Sequence, residues 1–193
     1  MKTYKMRPSA SPEIHLNLAP YPEFIRDLLY TRGIENFESA EKFLNPNYDN
    51  HTHDPFLIAG MDRAVVRIIK AIRDGERIAI YSDYDHDGIP GGVILHNFFK
   101  RIGYKNFLNY IPHRYTEGYG LNKVAIETLH GDGVTLIITV DCGISDVLPV
   151  KRANELGINV IITDHHLTQE VLPKAYVILN SKQDHCDYPD QML

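Results

Sequence analysis

Short apolar segments alternate with amphipathic ones along residues 77–179, and this alternation constrains the fold more than any other feature of the chain. The apolar segments are rich in Ile and Val, and most are followed by a stretch with helical spacing. Such alternation predicts a doubly wound α/β fold, with a mainly parallel sheet of about five strands and helices on both faces. The predicted strands are Arg77–Ser82, Lys105–Ile111, Thr135–Val140, Asn159–Thr163 and Tyr176–Leu179, and the predicted helices are Gly92–Ile102, Leu121–Leu129, Ser145–Leu156 and a short one near Thr168–Leu172.

Residues 1–20 are rich in Pro and Ser without periodicity, and residues 22–44 contain only short apolar clusters with helical spacing. We therefore expect an N-terminal arm with short helices over residues 1–54 and an α/β domain over residues 55–193. Within these, the predictions are an irregular arm over residues 1–20, two short helices within residues 22–44 divided at Gly33, a loop over residues 45–55, and one amphipathic helix over Met61–Arg73.

Three aspartates, Asp83, Asp85 and Asp87, follow the first predicted strand at two-residue spacing. Carboxylates this close repel one another and raise each other's pKa unless a cation neutralises them. The run fits a divalent-metal site, because its hard oxygen ligands suit Mg²⁺ or Mn²⁺. It also fits a solvated acidic turn or a fragment of a calcium loop.

Polar side chains follow the other predicted strands as well, always at the same end. Parallel strands open their carboxyl ends at one edge of the sheet, where ligands bind in such folds. The opposite edge carries ordinary turn residues, and this asymmetry favours a metal site over surface decoration. The residues after the four successive strands are Asp83, Asp85 and Asp87; then His113, Arg114, Glu117, Gly118, Tyr119 and Gly120; then Asp141, Cys142 and Gly143; and then Asp164, His165 and His166.

The types of side chain at this edge narrow the chemistry. Carboxylates with imidazoles favour Mn²⁺ or Mg²⁺ over structural zinc. Two such ions that share a bridging carboxylate are a common apparatus for phosphoester hydrolysis. In that chemistry Arg114 would hold a phosphate oxygen, and the glycines of Gly118-Tyr119-Gly120 would let main-chain N–H groups approach an anion.

The amino-acid composition excludes few classes of function. The formal net charge of −5 does not argue against a nucleic-acid partner, because two divalent cations at the aspartates would return positive charge to the surface where a substrate lies. No apolar run is long enough to cross a bilayer, and the N-terminus shows no signal peptide. The 2 cysteines have no CxxC spacing and fit a reduced, cytoplasmic location.

Several stretches resemble a known family in order from about residue 30 to the C-terminus. Tyr84-Asp85-His86-Asp87-Gly88, Thr139-Val140-Asp141-Cys142-Gly143 and Thr163-Asp164-His165-His166 resemble the first three motifs of the DHH phosphoesterase superfamily. The stretches that resemble the RecJ group of single-stranded-DNA exonucleases within it are Asp54-Pro55-Phe56-Leu57 with Met61-Asp62-Arg63-Ala64, Ile111-Pro112-His113-Arg114, Glu117-Gly118-Tyr119-Gly120-Leu121 and Asp187-Tyr188-Pro189. Arg32-Gly33-Ile34 and Phe43-Leu44-Asn45-Pro46 resemble the segment that precedes these stretches in the same group.

This resemblance implies an exonuclease that degrades single-stranded DNA from the 5′ end in recombination and repair. It implies two Mn²⁺ or Mg²⁺ ions, and its other expected partners are single-stranded-DNA-binding and other repair proteins. The roles implied are metal binding by Asp85, Asp87, Asp141 (a bridge) and His165; catalysis by His166 and Arg114, supported by Asp83 and Asp164; and substrate binding by Arg114, Gly118, Tyr119 and Gly120.

Departures from the family pattern leave alternatives open. His86 and Pro90-Gly91 replace a small residue and Thr-Ser, and His86 is either an added ligand or an outward-facing side chain. The sequence ends at Leu193, before the family's fourth motif and closing domain, so we expect a fragment or a short homologue. The alternative functions are a phosphoesterase for short oligonucleotides or other small phosphates, and an inactive DNA- or protein-binding module. Tyr115 and Tyr119 would either stack on bases or pack in their loop.

Overall fold

The computed structural model describes residue 5 and residues 7–190, in two compact units, Met1–His53 and Asp54–Leu193. Residues 1–4, 6 and 191–193, which include the start of the predicted arm, lie outside the described residues. No helix in the described part of the chain is both long and apolar enough to span a bilayer.

The first unit is built from short helices around a small apolar core of Leu18, Leu29 and Ala40. The prediction of two helices divided at Gly33 is confirmed, but two other predictions are wrong. A helix forms within the predicted arm because Ser11 caps it and Pro12 occupies its first position, and a single turn forms within the predicted loop. The helices are α1 (Pro12–Asn17), α2 (Glu23–Tyr30), α3 (Phe37–Leu44) and α4 (Tyr48–His51).

The second unit is the predicted doubly wound fold. Its sheet has five parallel strands in the order β2-β1-β3-β4-β5. A 3₁₀ turn at Pro55–Leu57 precedes the first helix of this unit. The elements then run α5 (Met61–Asp74), β1 (Arg77–Ser82), α6 (Gly88–Arg101), β2 (Phe107–Tyr110), α7 (Lys123–Gly131), β3 (Val134–Val140), α8 (Val147–Glu155), β4 (Asn159–Thr163) and β5 (Val177–Leu179).

Side chains alternate between the two faces of the sheet, as the strand period of two requires. In β1, Ile78 and Ile80 pack with Phe99 of α6 and with Ala71 of α5. Ala79 and Tyr81 face the other way, into a cluster formed with α7 and α8. Both faces of the central strands are therefore buried, which explains why β1, β3 and β4 are apolar along most of their length.

Most predicted elements end within two residues of the observed ones, and two predicted helices differ by more. Helix α6 begins at Gly88 rather than Gly92, which places Pro90 in its first turn, where proline is tolerated. Only glycine fits at position 88, because a Cβ there would lie 2.7 Å from the main-chain oxygen of Asp83. The helix predicted near Thr168–Leu172 is absent. Leu167 and Val171 are exposed, so a helix there would have no buried face to stabilise it.

The order of the strands creates a crevice at the carboxyl edge of the sheet. The chain leaves β1 through α6 to β2 on one side, and it returns through α7 to β3 on the other side of β1. The loops after β1 and β3 therefore diverge, and in open α/β sheets ligands bind at such a reversal.

A buried ion pair ties the opposite, amino edge together. Arg67 of α5 is 7% exposed and donates to both carboxylate oxygens of Glu76, at 3.0 and 2.7 Å. It also donates to Asn159 at the start of β4, at 2.7 Å, and the Thr135 hydroxyl of β3 donates to Glu76 at 2.6 Å. The Arg67–Glu76 ion pair thus joins a helix to the starts of three strands.

Replacing Arg67 with alanine should lower the free energy of unfolding by about 3 kcal/mol, because the mostly buried Glu76 carboxylate loses its bidentate partner. Urea unfolding checks this. Arg152→Ala is the matched control, since Arg152 makes only partly exposed ion pairs with Glu127 and Glu155 and should cost less than about 1 kcal/mol. Equal losses of unfolding free energy in Arg67→Ala and Arg152→Ala would contradict a special stabilising role for the Arg67–Glu76 ion pair.

Candidate metal centre

The loop between β1 and α6 supplies three carboxylates with different surroundings. Asp83 is 2% exposed, and burial followed by the charge of Asp85 raises its pKa. Asp85 turns back on the start of α6 and accepts the main-chain N–H groups of Gly88 and Asp87, at 3.1 and 3.3 Å. These contacts lower the pKa of Asp85 to about 2, so it is ionised. The Asp87 side chain is 62% exposed at the rim.

Asp141, directly after β3, is the most constrained residue of this edge. Its φ is 61°, the only positive φ of a non-glycine residue in the part of the chain that the structure describes. Burial, the charge of Asp87 and contact with Asp85 raise its pKa to about 7. Among the described residues, nothing hydrogen-bonds its two carboxylate oxygens or Oδ1 of Asp83, and we call these three atoms the unpartnered oxygens.

His165, after β4, faces Asp141 across the crevice. Its Nε2 lies 3.0 Å from Asp141 Oδ1, without the alignment of a hydrogen bond, and 3.6 Å from Asp87 Oδ2. The ring is therefore close to carboxylates from two different loops. A cation between these groups would be bound by hard oxygens and one imidazole.

Asp164 holds the next histidine in place. Its Oδ1 accepts from Nδ1 of His166 at 2.7 Å and from the main-chain N–H groups of His165 and His166, at 2.8 and 3.1 Å. Its Oδ2 accepts the N–H of Ile144 in the neighbouring loop at 2.9 Å. Burial lowers the pKa of His166, but the hydrogen bond and charge of Asp164 outweigh it and raise the pKa overall. Asp164 is thus saturated with donors and orients the histidine.

Two overlapping groups of side chains could each hold a cation. Within each group the possible ligand atoms all lie within 4.8 Å of one another. Asp141 belongs to both, and Asp87 belongs to neither group in the described chain, although it lies beside His165. An open pocket of about 370 Å³ adjoins the edge and is lined in part by Asp87, Asp141 and His165. The groups are Asp83, Asp85 and Asp141, and Asp141, His165 and His166.

The unpartnered oxygens test whether a cation fits here. A buried polar atom without a hydrogen bond costs free energy, and a buried carboxylate costs more. Three such atoms on Asp83 and Asp141, beside further ionised groups, form a donor set that a divalent cation would satisfy. The residues present therefore fit the metal that the sequence predicted.

The loop after β2 is held rigid by Glu117. Its Oε1 accepts the Tyr110 hydroxyl at 2.5 Å and the Asn122 side chain at 3.2 Å, and its Oε2 accepts the main-chain N–H of His113 at 2.8 Å. The Arg114 guanidinium lies over the ring of Tyr84, 4.5 Å from its centroid. Sequence reasoning placed Glu117 at this edge without a role, although an acid beside two glycines was a usable signal.

Tyr119 reaches beyond its own loop to the main chain of Asp141 and the ring of His166. Its hydroxyl donates to the main-chain oxygen of Asp141 at 3.1 Å and lies 3.1 Å from Nδ1 of His166. The flanking Gly118 and Gly120 both have φ of 81°, which lets the chain turn tightly there. His86, by contrast, is exposed.

The predicted site residues are thus largely brought to one edge. Asp83, Asp85 and Asp141 lie within ligand reach of one another, and so do Asp141, His165 and His166. Asp87, Asp164 and Tyr119 contact members of that cluster, and Arg114 lies against Tyr84 in the adjoining loop. Their individual roles stay predictions.

The part of the chain that forms this candidate site matches a known protein family. The family described as "DHH family, N-terminal domain" matches residues 77–188. The single-stranded-DNA-specific exonuclease RecJ of Bacillus subtilis (strain 168) is 45% identical over 166 residues, which are 86% of this chain and 21% of that protein. RecJ of Escherichia coli (strain K12) is 33% identical over 175 residues, 91% of this chain and 30% of that protein. These matches confirm the predicted resemblance.

Solved structures of RecJ share the fold. A crystal structure of exonuclease RecJ bound to manganese superposes with a TM-score of 0.65 at 31% identity and covers 72% of this chain and 35% of its own. RecJ from Thermus thermophilus in complex with Mn²⁺ gives a TM-score of 0.64 at 24% identity, covering 91% of this chain and 24% of its own, and shows the fold alone. The chain spans less than a third of the length of the two curated relatives.

In metal-free protein, stability should fall as the pH rises from about 4 to about 7. The pKa of Asp141 is about 7 in the folded state and about 3.9 unfolded, so the folded state holds a proton that unfolding releases across this window. Asp141→Asn should remove most of this loss, on the order of 2 kcal/mol, and asparagine tolerates the positive φ. Part of the slope should persist, since the raised pKa of Asp83 acts in the same direction within this window and the raised pKa of His166 does so above about pH 6.5.

Urea unfolding in EDTA at several pH values checks this. Asp132→Asn, at an exposed position on the opposite edge, should keep the wild-type slope. Identical slopes of stability against pH for Asp141→Asn and wild type would contradict the raised pKa of Asp141.

Proposed function

The chain belongs to the DHH family, and on that premise we propose that it hydrolyses phosphodiester bonds of single-stranded DNA with two Mn²⁺ or Mg²⁺ ions. The observation that carries the proposal is the carboxylate of Asp141, which is buried, belongs to both candidate ligand groups and has two of the unpartnered oxygens. Such a carboxylate is suited to bridge two cations.

The proposed metal ligands are Asp85, Asp87, Asp141 and His165, with Asp83 within reach. When bound, two divalent cations supply Lewis acidity to a phosphoryl group and lower the pKa of water. The chain itself supplies fixed geometry. Gly88 and Asp87 main-chain N–H groups orient Asp85, and Asp164 orients the main chain beside His165.

Two further side chains are proposed to act on the phosphate. Asp164 and the Tyr119 hydroxyl occupy Nδ1 of His166, which leaves Nε2 as the nitrogen available to a phosphate oxygen. The guanidinium of Arg114 is stacked on Tyr84 and forms no ion pair with a carboxylate of the described residues, so its donors are available to a phosphate. Gly118, Tyr119 and Gly120 would shape the substrate side of the site.

Other parts of the proposal rest on the family and on its named relatives. Single-stranded DNA is the substrate in the names of the RecJ relatives. Attack from the 5′ end, a role in recombination and repair, and contacts with single-stranded-DNA-binding proteins follow the family resemblance. A cytoplasmic location fits Cys142 and Cys186, which are free and buried.

Asp141→Asn should lower Mn²⁺-dependent degradation of single-stranded DNA by at least roughly 100-fold, because it removes the charge that both ligand groups share. Digestion of 5′-labelled single-stranded DNA measures this, with unfolding curves to show that the variant is folded. Asp132→Asn is the control and should keep wild-type activity.

Retained cleavage by Asp141→Asn in a preparation free of other nucleases would refute the proposal. Parallel assays on a small chromogenic phosphodiester identify the substrate class. Cleavage of the small diester alone would support the small-substrate alternative, and Mn²⁺ binding without any cleavage would support a binding module.

Tyr115 should contact a base of the DNA. It is 89% exposed in the loop that Glu117 anchors through the main chain of His113, so its ring is available to a base. Tyr115→Ala should raise the KM for single-stranded DNA roughly tenfold, since stacking on one base is worth about 1–3 kcal/mol. Tyr115→Phe and Tyr48→Ala, the latter at a similarly exposed tyrosine of the first unit, should behave like wild type. A raised KM in Tyr115→Phe as well, or none in Tyr115→Ala, would contradict stacking.

A further inference from the structure

The turn that follows β5 contains more buried polar side chains than a surface turn needs. Asn180, Ser181 and Gln183 are 1%, 7% and 5% exposed. Gln183 holds the turn together, since its side chain donates to the main-chain oxygens of Ile178 and Asn180, at 3.1 and 3.2 Å. Burying polar groups is unfavourable unless their hydrogen bonds are made, so the partners of Asn180 indicate what the turn does.

Asn180 joins this turn to the strand-end segment that carries the two histidines. Its Oδ1 accepts the main-chain N–H of Lys182 at 2.8 Å, and its Nδ2 donates to the main-chain oxygen of His166 at 2.9 Å. The ammonium group of Lys182 donates to the main-chain oxygen of His165. Two side chains of one turn therefore hold two successive carbonyl groups.

The main chain of His165 and His166 is consequently held from both sides. Asp164 accepts both of its N–H groups, and Asn180 and Lys182 donate to both of its carbonyl oxygens. The rings of the two histidines are left to face Asp141, with Nε2 of His165 3.0 Å and Nδ1 of His166 3.9 Å from its Oδ1. Fixing the main chain in this way fixes where the rings can lie.

We propose that Asn180 and Lys182 are positioning residues of the metal centre, which act on the metal through the main chain of His165 and His166. The inference rests on the proposed metal-dependent function. It extends the functional unit to the turn after β5, none of whose residues belongs to a candidate ligand group in the described chain. Outer contacts of this kind change metal affinity by about 10- to 100-fold when they are removed.

The test compares four variants of the whole chain. Asn180→Ala removes the donor to His166, and Lys182→Met removes the donor to His165, while Lys182→Arg keeps a donor there. Asn154→Ala is the matched control, because the Asn154 amide also donates to a main-chain oxygen, that of Lys174, at 2.8 Å, but at the end of α8 near the opposite edge of the sheet.

Mn²⁺ affinity is measured from the electron paramagnetic resonance signal of free Mn²⁺, and metal-free stability from urea unfolding. We expect Asn180→Ala and Lys182→Met to weaken Mn²⁺ binding about tenfold, and Lys182→Arg and Asn154→Ala to bind as wild type does. Wild-type affinity in both Asn180→Ala and Lys182→Met, or equal weakening in Asn154→Ala, would overturn the proposal. If Asn180→Ala does not fold, the Lys182 pair alone decides.

A second measurement separates this inference from the proposed function. Histidine-ring ¹H–¹⁵N correlation spectra of metal-free protein report the positions of His165 and His166 directly. We expect both ring signals to shift in Asn180→Ala and Lys182→Met and to stay unchanged in Asn154→Ala. If the wild-type protein binds no Mn²⁺, the proposed function is refuted, but the spectra still test whether Asn180 and Lys182 position the two histidines. Unshifted ring signals in both variants would overturn the positioning proposal.

Discussion

The carboxylate of Asp141 is the constraint on which the rest of this edge depends. It is buried, it lies beside other acidic groups, and its residue has a backbone conformation that side chains rarely adopt. Each of these features is unfavourable alone. A divalent cation would compensate for the charge, and the surrounding elements then serve to keep Asp85, Asp87 and His165 within reach of it.

The topology explains why this constraint arises at the end of β3. Strands β1 and β3 are neighbours, but the chain leaves one toward β2 and leaves the other toward β4. The loops that follow these two strands therefore diverge and leave an opening between them. Asp85, after β1, and Asp141, after β3, lie at this opening within ligand reach of each other. The parallel pairing of β3 with β4 then places His165 opposite, and β5 adds the turn that holds its main chain. The site is assembled from successive crossovers rather than from one loop.

Much of the fold could be predicted from the sequence because both faces of the central strands are buried, so β1, β3 and β4 are apolar along most of their length. The exceptions have local causes. Helix α1 depends on the cap at Ser11, which apolar periodicity alone did not indicate. No helix forms around Val171, because its side chain is exposed. The aspartates and histidines after the strands were predictable, since parallel strands share one carboxyl edge. Asn180 was not, because its role depends on a contact that sequence spacing does not reveal, whereas Glu117 was placed at this edge without a role.

The most direct test of this account is the anomalous scattering of a crystal of the chain grown with Mn²⁺. We predict a peak within coordination distance of an Asp141 carboxylate oxygen, on the side of Asp85 or of His165, and two peaks that share Asp141 if both ligand groups fill. Density elsewhere, with the carboxylate of Asp141 still unpartnered, would contradict the claim that this edge of the sheet is a metal centre.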